Sequence, residues 1–197
     1  ELPQDNLKQA RSVIESLQLA ELDNFFRQAC LTAKVQIDQV AEQDQTAAVI
    51  YPIILPERLE VILKLPGEEK LKHYATNIVK QEVESTLEQL RENIPQPHTL
   101  RKVQSLSARV YDWLIRPIEA DLAENKVKTL VFVLDGALRN VPPASLYDGK
   151  QYLVSSYAIA LSPGLQLFDP KPLPRKQLQA LIGGLSESNL GFSALPN

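Results

Sequence analysis

Leu130-Val131-Phe132-Val133-Leu134-Asp135-Gly136-Ala137-Leu138-Arg139-Asn140-Val141-Pro142-Pro143-Ala144-Ser145-Leu146 is the stretch that decides the fold of this 197-residue chain. Val131, Phe132 and Val133 follow one another with no polar alternation, the pattern of a strand covered on both faces, as in a parallel sheet flanked by helices. Asp135-Gly136 ends the strand as a turn, and Pro142-Pro143 fixes the exit of the loop ahead of a short helical turn. Asp135 is expected to cap that turn and Gly136 to supply its backbone angle. Arg139 is left with two readings, a local ion pair or a side chain that shapes a substrate cleft.

Upstream, residues 47–55 and 59–65 are two β-prone runs separated by Pro56-Glu57-Arg58, the spacing of a hairpin. In the second run Leu59, Val61, Leu63 and Leu65 alternate with Glu60, Ile62 and Lys64, so one face is expected in solvent and the strand near an edge. Pro66-Gly67 breaks it, and a helix is predicted from Glu68-Glu69, with Leu71, Ala75, Ile78, Val79, Val83, Leu87 and Leu90 as its buried stripe as far as Asn93. Pro95 and Pro97 end that helix. A second begins near Thr99 with Leu100, Val103, Leu106, Val110, Leu114, Ile118 and Leu122 on one face, interrupted at Pro117. The two form an antiparallel pair between the hairpin and the strand at 129–134.

Downstream, residues 152–154 and 157–161 read as short strands, after a hairpin-turn signal at Asp148-Gly149. A brief helix is expected at 165–168 and a strand at 178–182. At the other end, Leu7, Ala10, Val13, Ile14 and Leu17 describe an amphipathic helix over 6–20, and Asp23 is placed to cap a short second helix carrying Phe25, Phe26 and Ala29.

A chain this long buries about 70% of its extended surface and needs no disulfide or metal to hold a core. The net charge of −3 arises from 21 basic and 24 acidic residues that are interspersed, which leaves no basic stripe for nucleic acid or anionic lipid. Neither is an expected partner. The apolar run at 47–55 is too short to span a bilayer, and the N-terminus lacks the basic-then-apolar order of a signal peptide. A cytoplasmic location is expected, with which a single cysteine agrees. The chain contains no methionine, even at position 1, so it is expected to be excised or processed.

Cys30 lies in an apolar helical context, where an unactivated thiol packs as a small hydrophobe. His73, beside Lys72 in the predicted helix, and His98, in the loop just after Pro97, are expected to be solvated. Neither has a carboxylate or cysteine at metal-ligand spacing, so no metal is expected. Gly183-Gly184 lacks the third glycine of a dinucleotide fingerprint and the Gly-Lys of a phosphate loop. No cofactor is expected.

The 130–146 stretch, together with Tyr147-Asp148-Gly149-Lys150-Gln151-Tyr152-Leu153, Ser156-Tyr157-Ala158-Ile159-Ala160-Leu161-Ser162-Pro163-Gly164-Leu165-Gln166-Leu167, Leu114-Ile115-Arg116-Pro117, Tyr51-Pro52-Ile53-Ile54-Leu55-Pro56-Glu57-Arg58-Leu59 and Gly191-Phe192-Ser193-Ala194-Leu195-Pro196-Asn197, resembles the CHAT domain, the caspase-like domain associated with tetratricopeptide repeats. The resemblance implies a three-layer α/β caspase-like sandwich, of which residues 46–197 are the N-terminal part: edge hairpin, helical pair and first parallel strands. Residues 1–45 are the helical junction to a repeat region. It further implies a cysteine peptidase whose His-Cys dyad follows residue 197, so no catalytic residue is assigned here and the chain alone is expected to be inactive. The implied partners are the downstream half of the domain, the tetratricopeptide repeat region, and a protein substrate or regulator. A non-catalytic interaction or scaffold module of the same fold is the alternative.

Overall fold

The computed structural model describes residues 2–26 and 45–162. Five strands form one mixed sheet in the order β3-β2-β1-β4-β5: β1 Ala47–Ile54, β2 Leu59–Lys64, β3 Leu71–Thr76, β4 Thr129–Phe132 and β5 Ala158–Leu161. The first three are antiparallel neighbours, whereas β4 runs parallel to both β1 and β5. Helix α1 (Gln4–Phe26) covers one face, and α2 (Lys80–Asn93), α3 (Leu100–Leu114) and α4 (Glu119–Glu124) cover the other. This is the three-layer α/β arrangement that the sequence led us to expect.

The unbroken apolar run of β4 is explained by that layering. Leu130, Phe132 and Leu134 join Leu87, Leu90, Val110 and Leu114 in the core on the three-helix side. Val131 and Val133 join Leu7, Ile14, Val49 and Tyr51 on the α1 side. A strand covered on both faces has no position for a polar residue. On the three-helix side, α2 and α3 are antiparallel, with Glu82 and Arg109 paired across them at 2.7 Å. Thr99 Oγ1 donates to the Asn93 carbonyl at 2.8 Å and so closes the α2 end ahead of α3. Pro117 sits in the 3-10 turn Arg116–Ile118 between α3 and α4.

Three expectations are corrected. Residues 68–79 do not open a helix: Leu71–Thr76 is the edge strand β3, and the helix begins only at Lys80. Leu71, Ala75 and Ile78 fit helical spacing, but Gly67 at φ +70 turns the chain back along β2, where a ladder of backbone hydrogen bonds outweighs that weak local preference. Consequently β2 is interior rather than at an edge, and all six of its residues are buried. The face carrying Glu60, Ile62 and Lys64 is not wet; its charges are matched locally. Glu60 is held by Arg58 and His73, and Lys64 Nζ donates to the Glu68 and Glu69 carbonyls.

The second correction concerns residues 152–154, which contribute to a 3-10 turn, Leu153–Ser155, rather than a strand. Tyr147 and Tyr152 make an isolated antiparallel bridge around the expected turn, where Gly149 takes φ +102. The Asp148 carboxylate there accepts the Lys150 and Gln151 amide N–H groups at 2.6 and 2.7 Å. Local satisfaction of the backbone by this side chain replaces a ladder. The third correction is at Asp23, which lies within α1 and caps no new helix. Ala29, the helix at 165–168 and the strand at 178–182 fall outside the described residues.

α1 crosses the sheet diagonally and is tied down at three points. Gln4 exchanges two hydrogen bonds of 2.9 Å with the backbone of Leu71 on β3, and Glu15 accepts the Tyr51 hydroxyl at 2.9 Å over β1. Gln18 Nε2 donates to the Leu134 carbonyl at 2.8 Å, just past β4. No helix of the described residues is long and apolar enough to cross a membrane.

Candidate functional site

In sheets with parallel strands, ligands gather at the carboxyl ends of those strands. Here β4 ends beside Ile50 of β1, which runs on to Ile54, and the chain leaving β4 is fixed by a short set of interactions. Asp135 is extended, at φ −132 and ψ 158. Gly136 at φ +53 starts the 3-10 turn Gly136–Asn140, a left-handed conformation that glycine adopts without penalty. Asp135 makes no capping hydrogen bond to that turn. Its carboxylate instead pairs with Arg139 Nη2 at 3.3 Å, while Arg139 Nε donates to the Leu134 carbonyl at 3.0 Å. Arg139 thus forms a local ion pair, one of the two readings left for it, and its guanidinium also braces the strand end.

Beside this turn lies a cavity of about 150 Å³, lined by Pro52 and Ile54 of β1, Lys80 and Glu84 of α2, and Asp135 and Gly136. The first turn of α2 is placed there by the Lys80 amide, which donates to the Pro56 carbonyl of the β1-β2 hairpin at 3.0 Å. Charges of both signs border the cavity, with Lys80 and Glu84 3.6 Å apart. Its floor is apolar. No serine, threonine, cysteine or histidine lines it among the described residues. Hydroxyl, thiol and imidazole nucleophiles are thus absent from its described lining.

The other residues singled out from the sequence lie elsewhere. His98 is exposed in the 3-10 turn Pro97–Thr99, as expected. His73 is not freely solvated: it sits on β3 with its Nε2 against Glu60 Oε2, because strand alternation turns it and Glu60 to the same α1-side face as diagonal neighbours. Cys30 and Gly183-Gly184 fall outside the described residues. No group of three His, Cys, Asp or Glu side chains among the described residues could hold a metal.

Two further polar clusters brace the three-helix side. Asp121 of α4 accepts from Lys72 Nζ at 2.6 Å and from the Tyr74 hydroxyl. Burial opposes its ionisation, yet these two hydrogen bonds outweigh that and hold its carboxyl below the ordinary value. Burial, and then the Asp121 hydrogen bond, raise the Tyr74 phenol. Arg116 links Asp112 and Glu119, donates to the Asp148 carbonyl at 3.1 Å, and lies 4.9 Å from the centre of the Tyr111 ring. Sequence reasoning missed Gln18, Lys80, Glu84 and Glu60. Only Glu60, a charge inside an apolar strand, left a signal.

Residues 104–197 match the family model of the CHAT domain. No curated protein matches the chain. Among solved structures, the chain is similar to one described as "PilM-PilN type IV pilus biogenesis complex", at 16% identity and a TM-score of 0.32, over 72% of this chain and 44% of that one. The chain thus spans less than half the length of that structure. The described part of the matched stretch contains α4, β4, β5 and the Asp135–Arg139 turn.

Proposed function

We propose that this CHAT-type module and the elements packed on it are the scaffold half of a caspase-like cysteine peptidase. The parent hydrolyses peptide bonds with a His-Cys dyad that the resemblance puts beyond residue 197. The observation that carries the reading is the cavity between the β4 exit and the last residues of β1, next to a turn inside the CHAT match. In this reading Lys80, Glu84 and Asp135 border the path of an extended substrate, and Arg139 shapes the cleft by holding the β4 exit. The implied partners are the downstream half of the domain and a tetratricopeptide repeat region acting on the N-terminal helix, and the location is cytoplasmic.

The test joins gene sequence to assay. Beyond residue 197 the parent should carry a strand ending in His-Gly and another ending in Cys. It should cleave a mixed fluorogenic peptide library and lose that activity on alkylation with iodoacetamide. The 197-residue chain alone should show no turnover. The second reading is a non-catalytic scaffold of the same fold. A parent without the His-Gly and Cys strands that still binds a protein partner would establish it and end the peptidase reading.

A further inference from the structure

A larger cavity, of about 470 Å³, lies on the α1 side of the sheet, separated from the one at the β4 exit by Ile14 and Ile53, which line both. Its walls are largely apolar, with Leu2, Ala10 and Val13 facing Ile53, Leu55 and Ile62. Val13 is 62% exposed on the rim, so the cavity opens along the outer side of α1. Among the described residues, ionisable groups enter it at one place, where Arg58, Glu60 and His73 meet. Glu60 is itself buried, 5% exposed, and its two oxygens are taken by Arg58 Nε and His73 Nε2. The carboxylate therefore orients the Arg58 guanidinium. The remaining guanidinium N–H groups of Arg58, a side chain 51% exposed, make no hydrogen bond or ion pair among the described residues.

An apolar cavity of this size with a few convergent polar groups is the ordinary form of a small-molecule site. The oriented fork of an arginine matches a planar carboxylate and repels a cation. We propose that this cavity binds an aliphatic monocarboxylate, a medium-chain fatty acid, with its alkyl chain along α1 and its carboxylate on the free edge of Arg58. At roughly 30 Å³ per water-sized group, a ten-carbon acid occupies about 360 Å³ and fits.

The experiment is calorimetric titration of the 197-residue chain with decanoate, decan-1-ol and decylamine. Decanoate should bind saturably at one site, decan-1-ol about tenfold or more weakly because one charged hydrogen-bond pair is lost, and decylamine not at all. Val13→Trp, at an exposed helix position on the rim, should fill the cavity and abolish decanoate binding while thermal unfolding stays cooperative. Arg58→Met should weaken decanoate about tenfold and leave decan-1-ol unchanged. Equal binding of decanoate and decan-1-ol would overturn carboxylate recognition. Absence of saturable binding would mean that the cavity is covered by another segment or a second copy, and would overturn the proposal outright.

Discussion

Gln18 and Arg139 donate to one and the same oxygen, the Leu134 carbonyl, at 2.8 and 3.0 Å. One donor comes from α1 and the other from the turn after β4, so the layer on one face of the sheet and the loop at its carboxyl edge are fastened at a single point. Leu134 is 8% exposed, and a buried carbonyl without a partner costs about 1–3 kcal/mol.

A double-mutant cycle tests this sharing. Gln18→Leu alone removes one donor but also the buried Gln18 Oε1, which has no partner among the described residues, so its cost should stay near about 1 kcal/mol. Arg139→Ala alone leaves Gln18 in place and should cost a similar amount. Together they orphan the carbonyl. Urea denaturation should then show about 1–2 kcal/mol beyond the sum of the single changes; simple additivity would refute a shared acceptor.

Phe132 on β4 is 1% exposed and lies in the core on the three-helix side. Phe132→Ala should cost about 3–5 kcal/mol from lost burial plus the cavity left behind, a large share of the about 5–15 kcal/mol that holds an ordinary domain folded. Circular dichroism against temperature would report it, and a shift of only a degree or two would place Phe132 outside the core.

Lys126 takes φ +51 after α4, with its amide on the Ala123 carbonyl at 3.1 Å and the Val127 amide on Leu122 at 3.0 Å. This is a helix end in the conformation that glycine prefers. Lys126→Gly should therefore stabilise the protein by about 0.5–1 kcal/mol. Gly136→Ala, at φ +53 with nothing within 4 Å of the added Cβ, should destabilise it by about 1 kcal/mol through backbone strain alone. Opposite shifts in chemical unfolding midpoint are the readout.

Asp121 is held below its ordinary value of 3.8 in the folded protein, so the folded state favours its ionised form. Its contribution is complete above the unfolded value and fades as pH falls through the lower folded one. Asp121→Asn should therefore flatten the acid limb of the stability curve below about pH 4. An unchanged acid limb would show that Lys72 and Tyr74 do not favour the charged form.

The elements that could be read in advance are those whose local and global preferences agree. Val131-Phe132-Val133 is apolar on both faces because the strand is covered on both. Pro95 and Pro97 stop α2, and Gly136 and Gly149 take the positive φ that their turns require. Of the two readings that the sequence leaves for Arg139, the structure shows the ion pair with Asp135 of the same turn, and local spacing alone could not choose between them. β3 was not legible: Leu71, Ala75 and Ile78 satisfy a helical repeat, and only the neighbouring strand supplies the partners that make the segment extended. Lys80 and Glu84 at the cavity were invisible because nothing local distinguishes them from a solvated helix face.

The order of apolar and polar residues by itself determined the α/β class, the helical pair and the central strand, because burial periodicity and turn chemistry act over a few residues at a time. The tertiary structure alone decided which charges are buried. Glu60 and Lys64 lie in a strand that reads as half wet until α1 closes over it, and His73 reaches Glu60 only through strand pairing. Contacts between residues distant in the chain depend on how layers stack, which no local pattern encodes.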